Sequence, residues 1–126
     1  MTNIDKVAVI GAGVMGAGIA AHAANAGIAV ILLDVVPDGA SNRSVLAETA
    51  VNKLLKANPA PLMHRRNTRH IQTGNLDDDL SLLAECDLVI EAVIEDLEIK
   101  QDLYRRVDTA RKPGSIVTSN TSTIPL

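Results

Sequence analysis

Phenylalanine and tryptophan are absent from this 126-residue chain, and a single tyrosine accounts for its 1% aromatic content. A core without large rings must be built from Val, Ile, Leu and Ala. That suits parallel strands buried on both faces, which read as short β-branched runs. Cysteine is almost missing too. Cys86 stands alone, which excludes an internal disulfide and fits a reducing, cytoplasmic setting. It reads as a core thiol at the start of a strand, with no positive neighbour in sequence to activate it. No apolar run approaches the roughly 20 residues of a membrane span, and Asp5 and Lys6 directly precede the first apolar run, unlike a signal peptide. Positive charge is not in excess: the net charge is −3 and the pI about 5.5. Neither nucleic acid nor a membrane is therefore an expected partner. No His/Cys/Asp spacing converges on a metal. Apolar residues nonetheless make up 47%, enough for one ordered domain, though the chain is short for a complete two-substrate enzyme.

Apolar runs alternate with helical stretches. The pattern predicts strands at Lys6–Ile10, Ile28–Leu33, Ile71–Thr73, Asp87–Val93 and Ser115–Ser119. Between them it predicts a small-residue helix from Val14 to Ala26 that Gly27 stops in a left-handed conformation. A second helix opens at Pro37-Asp38 and runs to about Ala57, a short one spans Asp79–Ala84, and the last runs from Leu97 to about Arg111. Residues 58–69, with two prolines and several positive charges, read as a connection. Strand and helix in repetition imply an α/β, Rossmann-type doubly wound parallel sheet with right-handed crossovers. Such folds have about six strands. Five are legible here, so the whole chain, 1–126, reads as one dinucleotide-binding domain truncated after the fifth strand, the N-terminal piece of a longer enzyme with its last edge uncovered.

The strongest chemical signal is Gly11-Ala12-Gly13-Val14-Met15-Gly16, between a strand and a helix. Gly11 permits the tight turn, Gly13 lets the backbone approach a pyrophosphate, and Gly16 lets the helix lie close to the strand. The bare amides of Val14, Met15 and Gly16 at the positive helix end then face phosphate oxygens. Asp34 follows 18 residues after Gly16, at the tip of the second strand, where a carboxylate accepts both ribose hydroxyls. Val35, Val36 and Pro37 offer no Arg for a 2′-phosphate, so NAD is expected over NADP.

Other groups are less decisive. Glu95 lies beyond the fourth strand, where sheet-bound ligands sit, and Glu91 inside it. Lys100 stands five positions after Glu95, and both charges either point into the crevice or belong to ordinary surface pairs such as Glu98–Asp102–Arg105 or Arg106. The Ser and Thr residues of 120–123 either donate to a nicotinamide or substrate oxygen or only form turns. His22 lies in the first helix, and His64 and His70 flank Arg65, Arg66 and Arg69, a basic cluster that suits an anionic substrate tail or a solvated loop. None of these histidines occupies a late strand end, where a hydride-transfer base belongs.

Together, 11–20, Asp-Leu-Val-Ile-Glu-Ala-Val-Ile-Glu-Asp-Leu-Glu-Ile-Lys (87–100) and Ser-Asn-Thr-Ser-Thr-Ile-Pro (119–125) resemble the NAD-binding domain of the L-3-hydroxyacyl-CoA dehydrogenases. The resemblance implies oxidation of the 3-hydroxyl of a 3-hydroxyacyl-CoA by NAD, a step of fatty-acid β-oxidation. It implies that Asp34 binds the adenosine ribose and that Glu95 and Lys100 lie along the cofactor. Ser122 would contact the nicotinamide side and the substrate oxygen, the one catalytic contact within this sequence. The helix matching Val45 to Ala57 helps hold the CoA. The family's general-base His and its orienting Glu fall beyond Leu126, as does the helical domain that supplies homo-oligomer contacts. The connection at 58–62 is similar to versions fused to an enoyl-CoA hydratase. Two further readings stay open: another β-hydroxyacid dehydrogenase, against which the 119–123 block argues, and an NAD-binding module without catalysis.

Overall fold

The computed structural model describes residues 4–39, 41–56, 69–92 and 97–119, with backbone alone at 97–100 and at 119. Five parallel strands form one sheet in the order β3-β2-β1-β4-β5. They are β1 (Lys6–Ile10), β2 (Ala29–Asp34), β3 (Ile71–Asn75), β4 (Leu88–Glu91) and β5 (Ile116–Ser119). Helices α1 (Val14–Asn25), α2 (Val45–Lys56) and α3 (Leu97–Ala110) and a 3-10 helix (Leu80–Glu85) make the crossovers. The chain builds outward from β1 to β3, then returns to lay β4 on the other side of β1. That reversal makes the C-terminal ends of β1 and β4 the switch point, the place where open α/β sheets bind ligands.

The central strands β1 and β2 are apolar on both faces because both are covered. Val7, Val9, Val30 and Leu32 pack with Ala17, Ala20, Ala21 and Ala24 of α1 and Ala47, Ala50 and Leu54 of α2. The alternate residues Ala8, Ile10, Ile31, Leu33 and Val89 pack with Leu83, Cys86, Leu103 and Val107. Helix α1 ends as its sequence predicts. Gly27 has φ 80°, its N–H donates to the Ala24 carbonyl at 3.0 Å, and that of Ile28 donates to the Ala23 carbonyl at 3.1 Å, the double closure of a left-handed helix stop.

Several boundaries differ from the sequence expectation. The second helix starts at Val45, not at Pro37-Asp38. Turns lie at 38–39 and 43–44, and the start is set by local caps: Asn42 Oδ1 accepts the Ser44 N–H at 3.1 Å and Asn42 Nδ2 donates to Glu48 Oε2 at 2.7 Å. Strand β3 runs two residues beyond Thr73, because Gly74 and Asn75 pair with Leu33 and Asp34. Strand β4 begins one residue after Asp87, and Val93 lies outside the described residues. Cys86 therefore does not start a strand but closes the 3-10 helix, fully buried, with its Sγ donating to the Leu82 carbonyl at 3.6 Å. Burial pushes its thiol up to about 11, a group kept protonated and unreactive at neutral pH. The connection at 58–69 lies outside the described residues except for its last residue, Arg69.

Candidate cofactor site

The glycine turn leaves β1 with Gly11 at φ 109°, a backbone state that side chains disfavour. Its N–H donates to the Leu33 carbonyl at 2.8 Å, tying the turn to the end of β2. Gly13 caps α1 with its carbonyl, which accepts the Ala17 N–H at 2.9 Å, and supplies no side-chain cap. No acidic residue occupies the first turn. The positive end of the helix therefore meets neither a capping side chain nor a carboxylate of its own, an arrangement suited to an anion. Val14, 96% exposed, stands at this open end beside Met15.

Gly16 and Gly13 differ in what surrounds them. A Cβ on Gly16 would lie 1.7 Å from the Gly11 carbonyl oxygen, so the helix can approach the turn only without a side chain. A Cβ on Gly13 would meet nothing within 4 Å. The space there is open.

Asp34, at the C-terminal tip of β2, is joined to this turn. Its Oδ2 accepts the Ala12 N–H at 2.7 Å, and its Oδ1 accepts the Val35 N–H at 2.6 Å. Both oxygens keep a lone pair for a further donor. The bond to Ala12 holds the carboxylate at a set position against the glycine turn. It was not legible in the sequence, which gives only the spacing of the two elements. A cleft of about 600 Å³ opens here, walled by Ala12, Gly13, Val14 and Asp34 on one side and by Leu46, Thr49, Ala50, Lys53 and Leu54 of α2 on the other. Its size and mostly apolar lining with few polar groups are those of a small-molecule site. Lys53 in this wall went unnoticed at the sequence level, because its helix spacing alone gives no direction to the cleft.

Glu91 ends β4 beside Ile10 in the register. It is 1% exposed and accepts the Tyr104 hydroxyl at 3.2 Å, so the carboxylate faces α3. Glu95 and Ser122 lie outside the described residues, as do His64, Arg65 and Arg66. The backbone of Lys100 lies in α3, and its side chain is outside the description. Of the plainer surface pairs, Asp102 meets Arg105 at 3.6 Å, while Arg106 turns instead to the Leu76 carbonyl at 2.8 Å and to Asp77 at 3.3 Å. His22 is exposed on α1.

A glycine turn opening a helix at the head of a parallel sheet, with a carboxylate bound to it from the next strand, defines a Rossmann dinucleotide-binding domain. Residues 6–126 match the family described as 3-hydroxyacyl-CoA dehydrogenase, NAD binding domain. This chain belongs to that family, and NAD is its cofactor. It is 50% identical to a probable 3-hydroxyacyl-CoA dehydrogenase of Bacillus subtilis (strain 168), over 97% of this chain and 17% of that protein. A putative fatty acid oxidation complex trifunctional enzyme of Rickettsia felis is 46% identical over 98% of this chain and 17% of its own length. Among solved structures, 3-hydroxybutyryl-CoA dehydrogenase from Escherichia coli K12 superimposes with a TM-score of 0.77 at 32% identity, over 98% of this chain and 26% of that one. The chain thus spans a minor part of these relatives. No helix among the described residues is long and apolar enough to cross a membrane.

Proposed function

We propose that this chain is the cofactor-binding domain of an NAD-dependent 3-hydroxyacyl-CoA dehydrogenase, which oxidises an (S)-3-hydroxyacyl-CoA to the 3-oxoacyl-CoA in fatty-acid β-oxidation. The observation that carries the reading is the Ala12–Asp34 bond at the mouth of the cleft, which joins a phosphate-binding turn to a ribose-binding carboxylate. The names of the relatives supply the substrate class. The amides of Val14, Met15 and Gly16 hold the pyrophosphate, and Asp34 accepts the adenosine ribose hydroxyls and repels a 2′-phosphate. By the resemblance, Glu95 and Lys100 lie along the cofactor and Ser122 donates to the substrate oxygen and the nicotinamide side. When bound, NAD supplies the hydride acceptor. The general base comes from chain beyond Leu126, together with homo-oligomer contacts, and the whole enzyme works in the cytoplasm.

Calorimetric titration tests the cofactor assignment. NAD is expected to bind well ahead of NADP, and Asp34→Ser is expected to lose about tenfold or more in NAD affinity while gaining relative tolerance of NADP, the scale of a charge-assisted hydrogen bond. Equal NAD and NADP affinities in the parent and the variant would remove Asp34 from the site. An acetoacetyl-CoA reduction assay separates the dehydrogenase from a binding module. Little turnover is expected from these 126 residues and robust turnover from the protein extended beyond Leu126.

A further inference from the structure

The turn after β3 carries a cluster of buried and charged groups that holding a cofactor does not by itself explain. Asn75 stands opposite Asp34 in the strand register and is 2% exposed. Its Oδ1 accepts the N–H groups of Asp77 at 3.0 Å and Asp78 at 2.7 Å. Its Nδ2 donates to Ser44 Oγ and to Asp78 Oδ2, both at 3.1 Å. Ser44 immediately precedes α2, its carbonyl accepting the Glu48 N–H at 3.1 Å. Arg43 beside it grips Asp78 with two N–H groups, Nε at 2.6 Å and Nη2 at 3.2 Å. Arg43 first, then Asn75, hold the Asp78 carboxyl below its ordinary range, so the pair stays ionised at neutral pH. From the same turn, the Leu76 N–H donates to the Asp34 carbonyl at 3.0 Å.

Gly74 shows how tightly this turn is closed. A Cβ there would lie 2.6 Å from Asp79 Oδ2, the atom that accepts the Asn75 N–H at 2.9 Å, and 2.9 Å from Leu33 Cδ2. One path of hydrogen bonds and chain therefore runs from the Asp34 backbone through Leu76 and Asn75 to Ser44, the residue before α2.

We propose that Arg43, Asp78 and Asn75 are positioning residues that fix the start of α2 against the Asp34 strand tip and so set the width of the cleft that receives the adenosine end of the cofactor. The proposal rests on the reading of Asp34 as the ribose acceptor. Asp34 forms one wall of that cleft and Leu46, Thr49 and Lys53 of α2 the other, so any drift of α2 changes the cleft directly. Helix α2 packs on the core through Ala47 and Ala50 in its first half and through Leu54, Val51 and Leu55 further along. The bulky contacts thus lie away from its start, where the short Ala side chains interlock little. The Arg43–Asp78 pair is about half exposed, 53% and 49%. Exposed pairs add little to global stability, so deleting this one tests geometry more than folding.

The test uses the full 126-residue chain with Arg43→Ala, Asp78→Ala, Arg43→Lys and the double variant R43A/D78A. Asn75→Ala would strip two turn amides of their acceptor and risks the fold, so it is the weaker probe. NAD and AMP are titrated at a temperature where circular dichroism shows each variant folded, and amide hydrogen exchange is followed along the chain. Each alanine variant is expected to lose about tenfold in affinity for both ligands, the scale of a small misplacement of binding groups. The double variant is expected to lose no more than either single one, because the two side chains act as one unit. Arg43→Lys is expected to recover most of the loss. Exchange at 45–50 is expected to rise while α1 is unchanged. Parent-like affinity in both alanine variants, losses that add in the double variant, or unmoved exchange at 45–50 would each overturn the proposal. If the parent chain binds neither NAD nor AMP, the adenosine reading itself fails. The fixing of α2 is then decided by exchange at 45–50 alone.

Discussion

A methyl group added at Gly16 would sit 1.7 Å from the Gly11 carbonyl oxygen and 2.9 Å from its carbonyl carbon. Backbone atoms cannot swing aside as a side-chain tip can. Gly16→Ala is therefore expected to cost about 1–3 kcal/mol, as overpacking does, and to weaken NAD binding at least about tenfold by shifting the turn. Gly13→Ala meets no protein atom and should leave stability nearly unchanged while weakening NAD. Denaturant melts and titrations of the two variants check the contrast; the same profile for both would refute it. Cys86 gives a pH prediction. Burial pushes its thiol from an ordinary 9.0 up to about 11, so between those values the folded chain holds a proton that the unfolded chain releases. Stability is flat below that window and falls as pH rises through it, by about 2–3 kcal/mol at roughly 1.4 per pH unit. Melts of the parent and Cys86→Ala at increasing pH should diverge over that window; parallel curves would show that the thiol contributes nothing.

Between elements, the ends of strands and helices carry the joints. At the N-terminal edge of the sheet, Asp87 Oδ2 accepts the N–H groups of Asp5 at 2.9 Å and Lys6 at 3.2 Å, and its Oδ1 pairs with Lys112. Its carbonyl accepts the Ile116 N–H at 3.0 Å. One residue thus ties together the starts of β1, β4 and β5. The Lys112 ammonium first, then the Asp5 amide, hold its carboxyl below the ordinary carboxylate range. This contribution is present above the unfolded value and is lost as pH falls through the lowered one. Asp87→Asn is expected to lower the melting temperature at neutral pH and to flatten the loss of stability in acid. Thermal melts across the acid range check this, and an equal acid slope would count against it. The starts of α1 and α3 fall where the sequence predicts, at Val14 and Leu97, whereas that of α2 does not. Pro37-Asp38 has the chemistry of a helix opening, yet α2 waits until Val45, because Asn42 caps it and Asn75 of β3 holds Ser44 in place. Local propensity cannot weigh a partner 31 residues away.

At the scale of the molecule, ligand binding and folding are linked. A ligand that binds only the folded chain stabilises it by about 2.7 kcal/mol at a hundred times its Kd, which is roughly 8–15 °C for a domain of this size. NAD is expected to raise the melting temperature by that amount in a thermal-shift assay and NADP at equal concentration to raise it much less; no shift with NAD would contradict the cofactor site. The order of strands and helices, the parallel sheet, the glycine turn and the acid at the tip of β2 were all determined by the sequence alone. They rest on short-range facts: apolar runs fit strands buried on both faces, and only glycine permits the turn and the close helix. Only the tertiary structure decided that Asp34 is bound to Ala12, that Glu91 faces Tyr104, and that Arg43 pairs with Asp78 and Asn75 with Ser44. Each of those depends on groups far apart in the chain, whose meeting is set by packing rather than by any local preference.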